Sequence, residues 1–272
     1  MTYIYIDQQT FNQETLFHPF AFTDVFTEDS SSNQHSFLHF WQFEQTFILG
    51  MKDTRVNYFD QGIKNIQQNH YVPVIRNSGG LGVIADQGVL NISLIFPKTE
   101  AMTTDAAYEW MSQITAQAFP ELNIEAYEIV DSYCPGTFDL SVDGKKIAGI
   151  AQRRSKQGIA VMMYLSVNGD QEQRGAVVRE FYRAGLKEHF DTDGYPAVDP
   201  TCMTTLADLL QQPLTIDAVK QRFLNVLAIN QPATNPLSWI TTNHYTDLFE
   251  RKLASMAQRN QQIKELGDDD SV

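Results

Sequence analysis

Between Phe138 and Val167 the chain runs through three strand-forming stretches with almost no room between them. Phe138–Val142 and Ile147–Gln152 flank Asp143-Gly144, a dipeptide whose backbone freedom suits the tight turn of a hairpin. Gly158–Val167 follows and is apolar nearly throughout, the pattern of a strand covered on both faces. Connections this short join antiparallel neighbours. The stretch therefore predicts a sheet with residues 158–167 at its centre.

Other elements gather around it. Phe47-Ile-Leu-Gly-Met, Val72–Arg76, Val83-Ile-Ala, Leu90–Phe96 and Ile124–Val130 read as further strands. Asp53 or Thr54 is expected to cap a helix whose apolar face is Val56, Phe59, Ile63 and Ile66. Thr104 and Asp105 open a second helix that stops near Pro120, and Asp170 with Gln173 opens a third. Short helices are expected after Thr205 and Thr215, and a long one from Asn243 to Leu266. Pairs and triplets of strands between helices predict an α+β fold, a mixed sheet flanked by helices.

Composition narrows the function. At 272 residues, 43% of them hydrophobic, the chain can bury a sizeable core. No apolar run approaches the ~18 residues of a membrane span. The start, Met1-Thr-Tyr-Ile-Tyr-Ile-Asp, lacks the basic and apolar regions of a secretory signal, so the cytoplasm is expected. A net charge of −13 argues against a nucleic-acid partner. One basic cluster, Lys145, Lys146, Arg153, Arg154 and Lys156, stands out as either a solvated surface or a docking site for an acidic partner. The two cysteines, Cys134 and Cys202, form no C-x-x-C pair and have no histidines at metal-ligand spacing, so neither a disulfide framework nor a metal site is expected.

Two motifs carry chemistry. Cys134 lies in Ser-Tyr-Cys-Pro-Gly, a turn rather than a periodic apolar face, and the hairpin can fold Lys146 back toward it. An ammonium beside a thiol favours the thiolate. Cys202 has no such neighbourhood. The second motif is Arg76-Asn-Ser-Gly-Gly-Leu-Gly, whose glycines let backbone N–H groups approach a ligand. It lacks the Lys-Ser/Thr of a P-loop and precedes a strand, not a helix. A plain connecting turn remains an equal reading on local grounds.

Together, Arg76-Asn-Ser78-Gly79-Gly80-Leu81-Gly, Asp86 and Asn91 resemble the Arg-Arg-x-Ser-Gly-Gly-Gly…Asp…Asn signature of the biotin/lipoate protein ligase and lipoyltransferase superfamily. Lys146-Ile-Ala-Gly149 matches its Lys-Ile-(Ser/Ala)-Gly segment, and Ser-Tyr-Cys-Pro-Gly-x-Phe-Asp-Leu-Ser with Gly-Ile-Ala-Gln-Arg-Arg resembles its amidotransferase branch. Leu81 in place of the third glycine departs from the ligase pattern. The likeness runs roughly from residue 38 to 245. It divides the chain into an irregular lead-in packed on the domain (1–36), a catalytic domain (37–245), and a C-terminal helix with an acidic tail (246–272).

The resemblance implies a fold like the class II synthetase catalytic domain. It also implies an activity: transfer of an octanoyl or lipoyl group from glycine cleavage protein H to lipoyl domains of 2-oxoacid dehydrogenase subunits. Cys134 would be the nucleophile and Lys146 would stabilise its thiolate. Arg76, Ser78, Gly79, Gly80, Asp86, Asn91 and Gly149 would bind substrate. Oxyanion donors are sought around Gly79 and Gly80 or near Lys146. Exchange of one amide for another needs no cofactor. The alternatives are an ATP-dependent lipoate–protein ligase using Mg-ATP, an octanoyltransferase with acyl carrier protein as donor, and a lipoyl-domain binder without turnover.

Overall fold

The computed structural model describes residues 2–192 and 194–268. Its strands are β1 (Tyr3–Phe11), β2 (Ser36–Phe43), β3 (Gln45–Leu49), β4 (Val72–Ile75), β5 (Val83–Asp86), β6 (Val89–Pro97), β7 (Glu125–Ala126), β8 (Leu140–Val142), β9 (Lys145–Ser155) and β10 (Gly158–Ser166). The helices are α1 (His18–Asn33), α2 (Phe59–Gln68), α3 (Thr104–Ala118), α4 (Gln171–Leu186), α5 (Leu206–Leu210), α6 (Ile216–Val226), α7 (Pro236–Thr242), α8 (Thr246–Arg259) and α9 (Gln261–Asp268).

Seven strands form the main sheet in the order β1-β2-β6-β10-β9-β8-β7, parallel only between β1 and β2. A smaller sheet, β4-β3-β5, pairs β3 in parallel with β4 and antiparallel with β5. The apolar strand expected at the centre is β10, fourth of the seven. Asp143 and Gly144 make the tight turn between β8 and β9, both with positive φ (49° and 77°). The fold is thus a mixed sheet with flanking helices, as the element order predicts.

The sheet is covered on both faces. Along β2, Phe37, Trp41 and Phe43 enter one core, while Leu38 and Phe40 enter the other. The first core is filled by α1, α4, α8 and the small sheet through Phe22, Phe26, Phe47, Phe181 and Phe249. The second is closed by α3 and α6 through Met111, Ile114, Val219 and Phe223. This explains why β2 is buried along its whole length.

Residues 1–36 differ most from the expectation of an irregular lead-in. They supply the edge strand β1 and the core helix α1. Helix α1 gives no amphipathic signal because its Phe20, Phe22, Val25 and Phe26 are buried together with Thr23, Thr27, Asp29 and Ser30. The threonines satisfy themselves within the helix: Thr23 Oγ1 donates to the Pro19 carbonyl at 2.9 Å and Thr27 Oγ1 to that of Thr23 at 2.6 Å.

Three boundaries also move. Asp53 belongs to a single 3-10 turn, and α2 starts only at Phe59. Of the strand expected over 124–130, only Glu125–Ala126 pairs. The long terminal helix is broken into α8 and α9; Asn260, buried at the break, exchanges hydrogen bonds with the backbone of Ile75. The last residues of the acidic tail, 269–272, lie outside the described residues.

Candidate active site

Cys134 follows the buried pair Ser132-Tyr133 and has a φ of 47°. A residue with a Cβ rarely adopts that left-handed backbone unless its surroundings impose it. Lys146 imposes it here. In β9 it pairs with Ser141, whereas Ala148 pairs with Leu140, so Ile147 is the extra residue of a bulge. Ile147 and Ala148 consequently both join the second core, and Lys146 faces the other way, its ammonium 5.8 Å from the centre of the Tyr164 ring.

The Lys146 ammonium is fully buried and committed to oxygens. It donates to Ser132 Oγ (3.0 Å) and to the carbonyls of Tyr133 (3.0 Å) and Cys134 (2.9 Å), and it pairs with Asp139 Oδ2 at 2.9 Å. Asp139 also accepts the Gly136 N–H at 3.1 Å, tying down the turn after the cysteine. Burial pushes the Asp139 carboxyl up, against the opposing pull of Lys146. The hairpin thus brings Lys146 to Cys134, but to its backbone.

The glycine-rich loop faces the sulfur instead. The Arg76 guanidinium spans the loop, donating from Nε (3.1 Å) and Nη2 (2.7 Å) to the Gly79 carbonyl. Nη2 also lies 3.8 Å from Cys134 Sγ, and the Leu81 N–H points at the sulfur from 3.3 Å. Among the described residues these are the donors within hydrogen-bond reach of Sγ. The N–H that meets the sulfur belongs to Leu81, the residue that departs from the glycine pattern.

Asp53 and Tyr182 hold this loop from behind, and neither was singled out from sequence as a site residue. Asp53 Oδ1 accepts the Tyr182 hydroxyl at 2.8 Å, and Oδ2 accepts the Gly50 N–H at 2.7 Å. The Gly82 N–H in turn donates to the Tyr182 hydroxyl at 3.3 Å. Gly50 must be glycine, since a Cβ there would lie 1.9 Å from the Gly80 carbonyl oxygen. Burial pushes the Asp53 carboxyl up to about 7. In sequence Asp53 looks like a helix cap; a buried carboxylate beneath a loop leaves no local pattern.

A cavity of about 300 Å³ opens at Cys134, with Ser78, Gly79, Gly80 and Asp139 on its wall. A second, of about 60 Å³, runs inward among Phe20, Trp41, Ile48 and Met162 and contains Asn91. Arg76, Ser78, Val83, Gly149 and Tyr164 line both. Gly149 makes the shared wall possible, since a Cβ there would sit 2.6 Å from the Tyr164 ring. Asn91 is 4% exposed, and its Nδ2 has no hydrogen-bond partner.

Asp86 lines neither cavity. Its carboxylate accepts from Arg174 Nη2 (2.6 Å) and Nε (2.8 Å) and from the Gly88 N–H (3.0 Å). The basic cluster is divided, with Lys145 exposed. Lys146 is buried, Arg153 pairs with Asp24, Lys156 pairs with Glu28 at 2.5 Å, and Arg154 donates to the Met102 carbonyl at 2.9 Å. Among the described residues no helix is long and apolar enough to cross a membrane.

Residues 15–228 match the lipoyl protein ligase A/B catalytic domain. The chain belongs to that family. Within it, the chain is 42% identical to an octanoyl-[GcvH]:protein N-octanoyltransferase of Oceanobacillus iheyensis, over 83% of this chain and 84% of the relative. It is 38% identical to a lipoyl-[GcvH]:protein N-lipoyltransferase of Listeria monocytogenes, over 82% and 81%. Solved lipoate protein ligases share the fold. Lipoate-protein ligase A bound with ATP superposes with a TM-score of 0.67 at 17% identity, covering 94% of each chain. A bi-partite lipoate protein ligase of Thermoplasma acidophilum gives 0.65 at 16%, covering 94% of this chain and 92% of that one.

Proposed function

We propose that this chain is an acyltransferase that moves an octanoyl or lipoyl group from the lipoyl-type lysine of glycine cleavage protein H to lipoyl domains of 2-oxoacid dehydrogenase subunits, through a thioester on Cys134. The observation that carries this reading is the position of the sulfur. It lines a cavity that shares wall residues with a second, apolar cavity, and a backbone N–H and a guanidinium are directed at it.

The chemistry follows from that placement. Cys134 Sγ attacks the acyl carbonyl carbon of the donor amide. The C–S bond forms, the C–N bond breaks, and the lysine nitrogen leaves with the proton that the thiol gives up. In the second half the acceptor amine attacks the thioester, C–S breaks, and the electron pair returns to sulfur while the amine sheds a proton. One amide replaces another, so the exchange runs without ATP. The inner cavity takes the acyl chain, and Lys146 fixes the backbone of the nucleophile. We place the reaction in the cytoplasm.

Intact-mass analysis tests this. Incubation with octanoyl- or lipoyl-protein H is expected to leave one acyl adduct on the enzyme, absent in Cys134→Ala, and transfer to a lipoyl domain should proceed without ATP. Full activity of Cys134→Ala together with an ATP requirement rejects the reading.

A further inference from the structure

We infer that Asp24 closes the far side of the acyl cavity and so sets the longest chain that the enzyme transfers. This rests on the acyltransferase reading, with the inner cavity as the place of the chain. Every second residue of β9 faces that cavity: Gly149 and Ala151 line both cavities, and Arg153 lines the inner one. Their partners on β10 are Tyr164, Met162 and Ala160. Four residues of strand cover about 13 Å, the length scale of an extended octanoyl group. Cys134 shares the outer cavity with Gly149 and Ala151, so Arg153 marks the end of the row away from the sulfur.

A polar latch stands at that end. Asp24 Oδ1 accepts from Arg153 Nη1 and from Asn77 Nδ2, the latter at 3.1 Å, and Oδ2 pairs with Lys252 Nζ at 3.4 Å. One carboxylate thus joins α1, the glycine-rich loop, β9 and α8. Asn77, Arg153 and the neighbouring Thr23 all line the inner cavity. The Asp24 side chain is 8% exposed, whereas those of Arg153 and Lys252 are 32% and 33% exposed. The latch therefore has the cavity on one side and solvent on the other. Asn77 stands at the variable position of the Arg-x-Ser-Gly-Gly signature, so the signature alone does not account for this contact.

The latch acts as a stop because its chemistry differs from the rest of the wall. Phe20, Trp41, Ile48 and Met162 offer an acyl chain apolar surface. A methyl end pushed between Arg153 and Asp24 would instead separate a charge pair and strip it of water while replacing neither partner. Chains that end before Arg153 avoid that cost, and longer ones meet it. The class selected is therefore medium-chain acyl groups, octanoyl and the equally long lipoyl group. Asp24 touches no reacting atom; it is a positioning residue that acts through Asn77 and Arg153.

Protein H carrying octanoyl or dodecanoyl groups tests this, with kcat/KM as the readout. The wild type is expected to prefer octanoyl. Asp24→Ala opens the latch and is expected to raise the dodecanoyl-to-octanoyl ratio by about tenfold or more. Arg153→Ala should do the same from the other partner, and it stands in if Asp24→Ala does not fold. A purely structural role would lower transfer of both groups together and leave the ratio where it was. Equal use of the two donors by the wild type, or an unchanged ratio in either folded variant, overturns the inference and leaves the acyltransferase reading intact. Absence of an acyl adduct on wild-type Cys134 after exposure to octanoyl-protein H instead overturns the acyltransferase reading.

Discussion

The Lys146 ammonium binds the backbone carbonyl of Cys134 at 2.9 Å and holds the Asp139 carboxylate at 2.9 Å from the same atom. The lysine fixes where the nucleophile is, and its charge is matched by a buried carboxylate. Lys146→Met would leave Asp139, only 2% exposed, without a counter-charge. Breaking a buried pair from one side costs about 3–5 kcal/mol. Chemical denaturation should detect that loss, and acyl transfer should fall as the strained backbone at Cys134 relaxes. The double variant Lys146→Met/Asp139→Leu should regain much of the stability but not the activity. An unchanged denaturation midpoint in Lys146→Met would refute this role.

Asp53 predicts a pH dependence. Its folded carboxyl is pushed up to about 7, above the usual carboxylate range. Between about pH 4 and 7 the unfolded chain has released this proton while the fold keeps it, so the folded state binds more protons. Stability contributed by the protonated form is complete at low pH and is lost as pH rises through the folded value. Relative to Asp53→Asn, the wild type should lose up to about 1.4 kcal/mol per pH unit across that window. The substitution also sets an amide against the Gly50 N–H, which adds a constant offset, so the slope is the quantity to read. Parallel stability curves for the two proteins would remove Asp53 from the account.

The fold was legible where burial is one-sided or the turn chemistry is strong. Asp143-Gly144 marked its hairpin, and Asp170, Thr205 and Thr215 cap their helices with side-chain oxygens. Helix α1 was not legible because burial all round erases periodicity, and its N-cap, Phe17, has no side-chain oxygen. At the site, the spacing of Cys134 and Lys146 correctly placed them together, but spacing cannot say which atom of the cysteine the lysine meets. A bulge decided that. Asp53 and Tyr182 touch across 129 residues and could be found only in three dimensions.

Asp86 separates a motif residue from a site residue. It is a member of the signature, yet it clamps Arg174, which is 3% exposed, and lines neither cavity. Asp86→Asn should therefore cost stability, about 3–5 kcal/mol for a buried charge left half-paired. The kcat of the folded fraction should stay within about twofold of wild type, because no transition-state contact is lost. Thermal unfolding beside steady-state kinetics distinguishes the two roles. A large fall in kcat at unchanged stability would return Asp86 to the substrate site.

Gly149 links the fold to the choice of acyl chain. It lies in β9 opposite Tyr164 of β10, and a Cβ there would sit 2.6 Å from that ring. Tyr164 lines both cavities, so Gly149→Ala must drive the ring into the space between them or part the two strands. Overpacking of this kind costs about 1–3 kcal/mol. The first outcome narrows the path from Cys134 to the inner cavity. Transfer of long acyl groups should then fall more steeply than transfer of short ones, read as kcat/KM across a series of acylated protein H donors. Gly149→Ala/Tyr164→Leu should restore the long-chain activity by removing the displaced ring. A uniform loss across chain lengths would mean that the strands part instead, and that the inner cavity does not receive the chain.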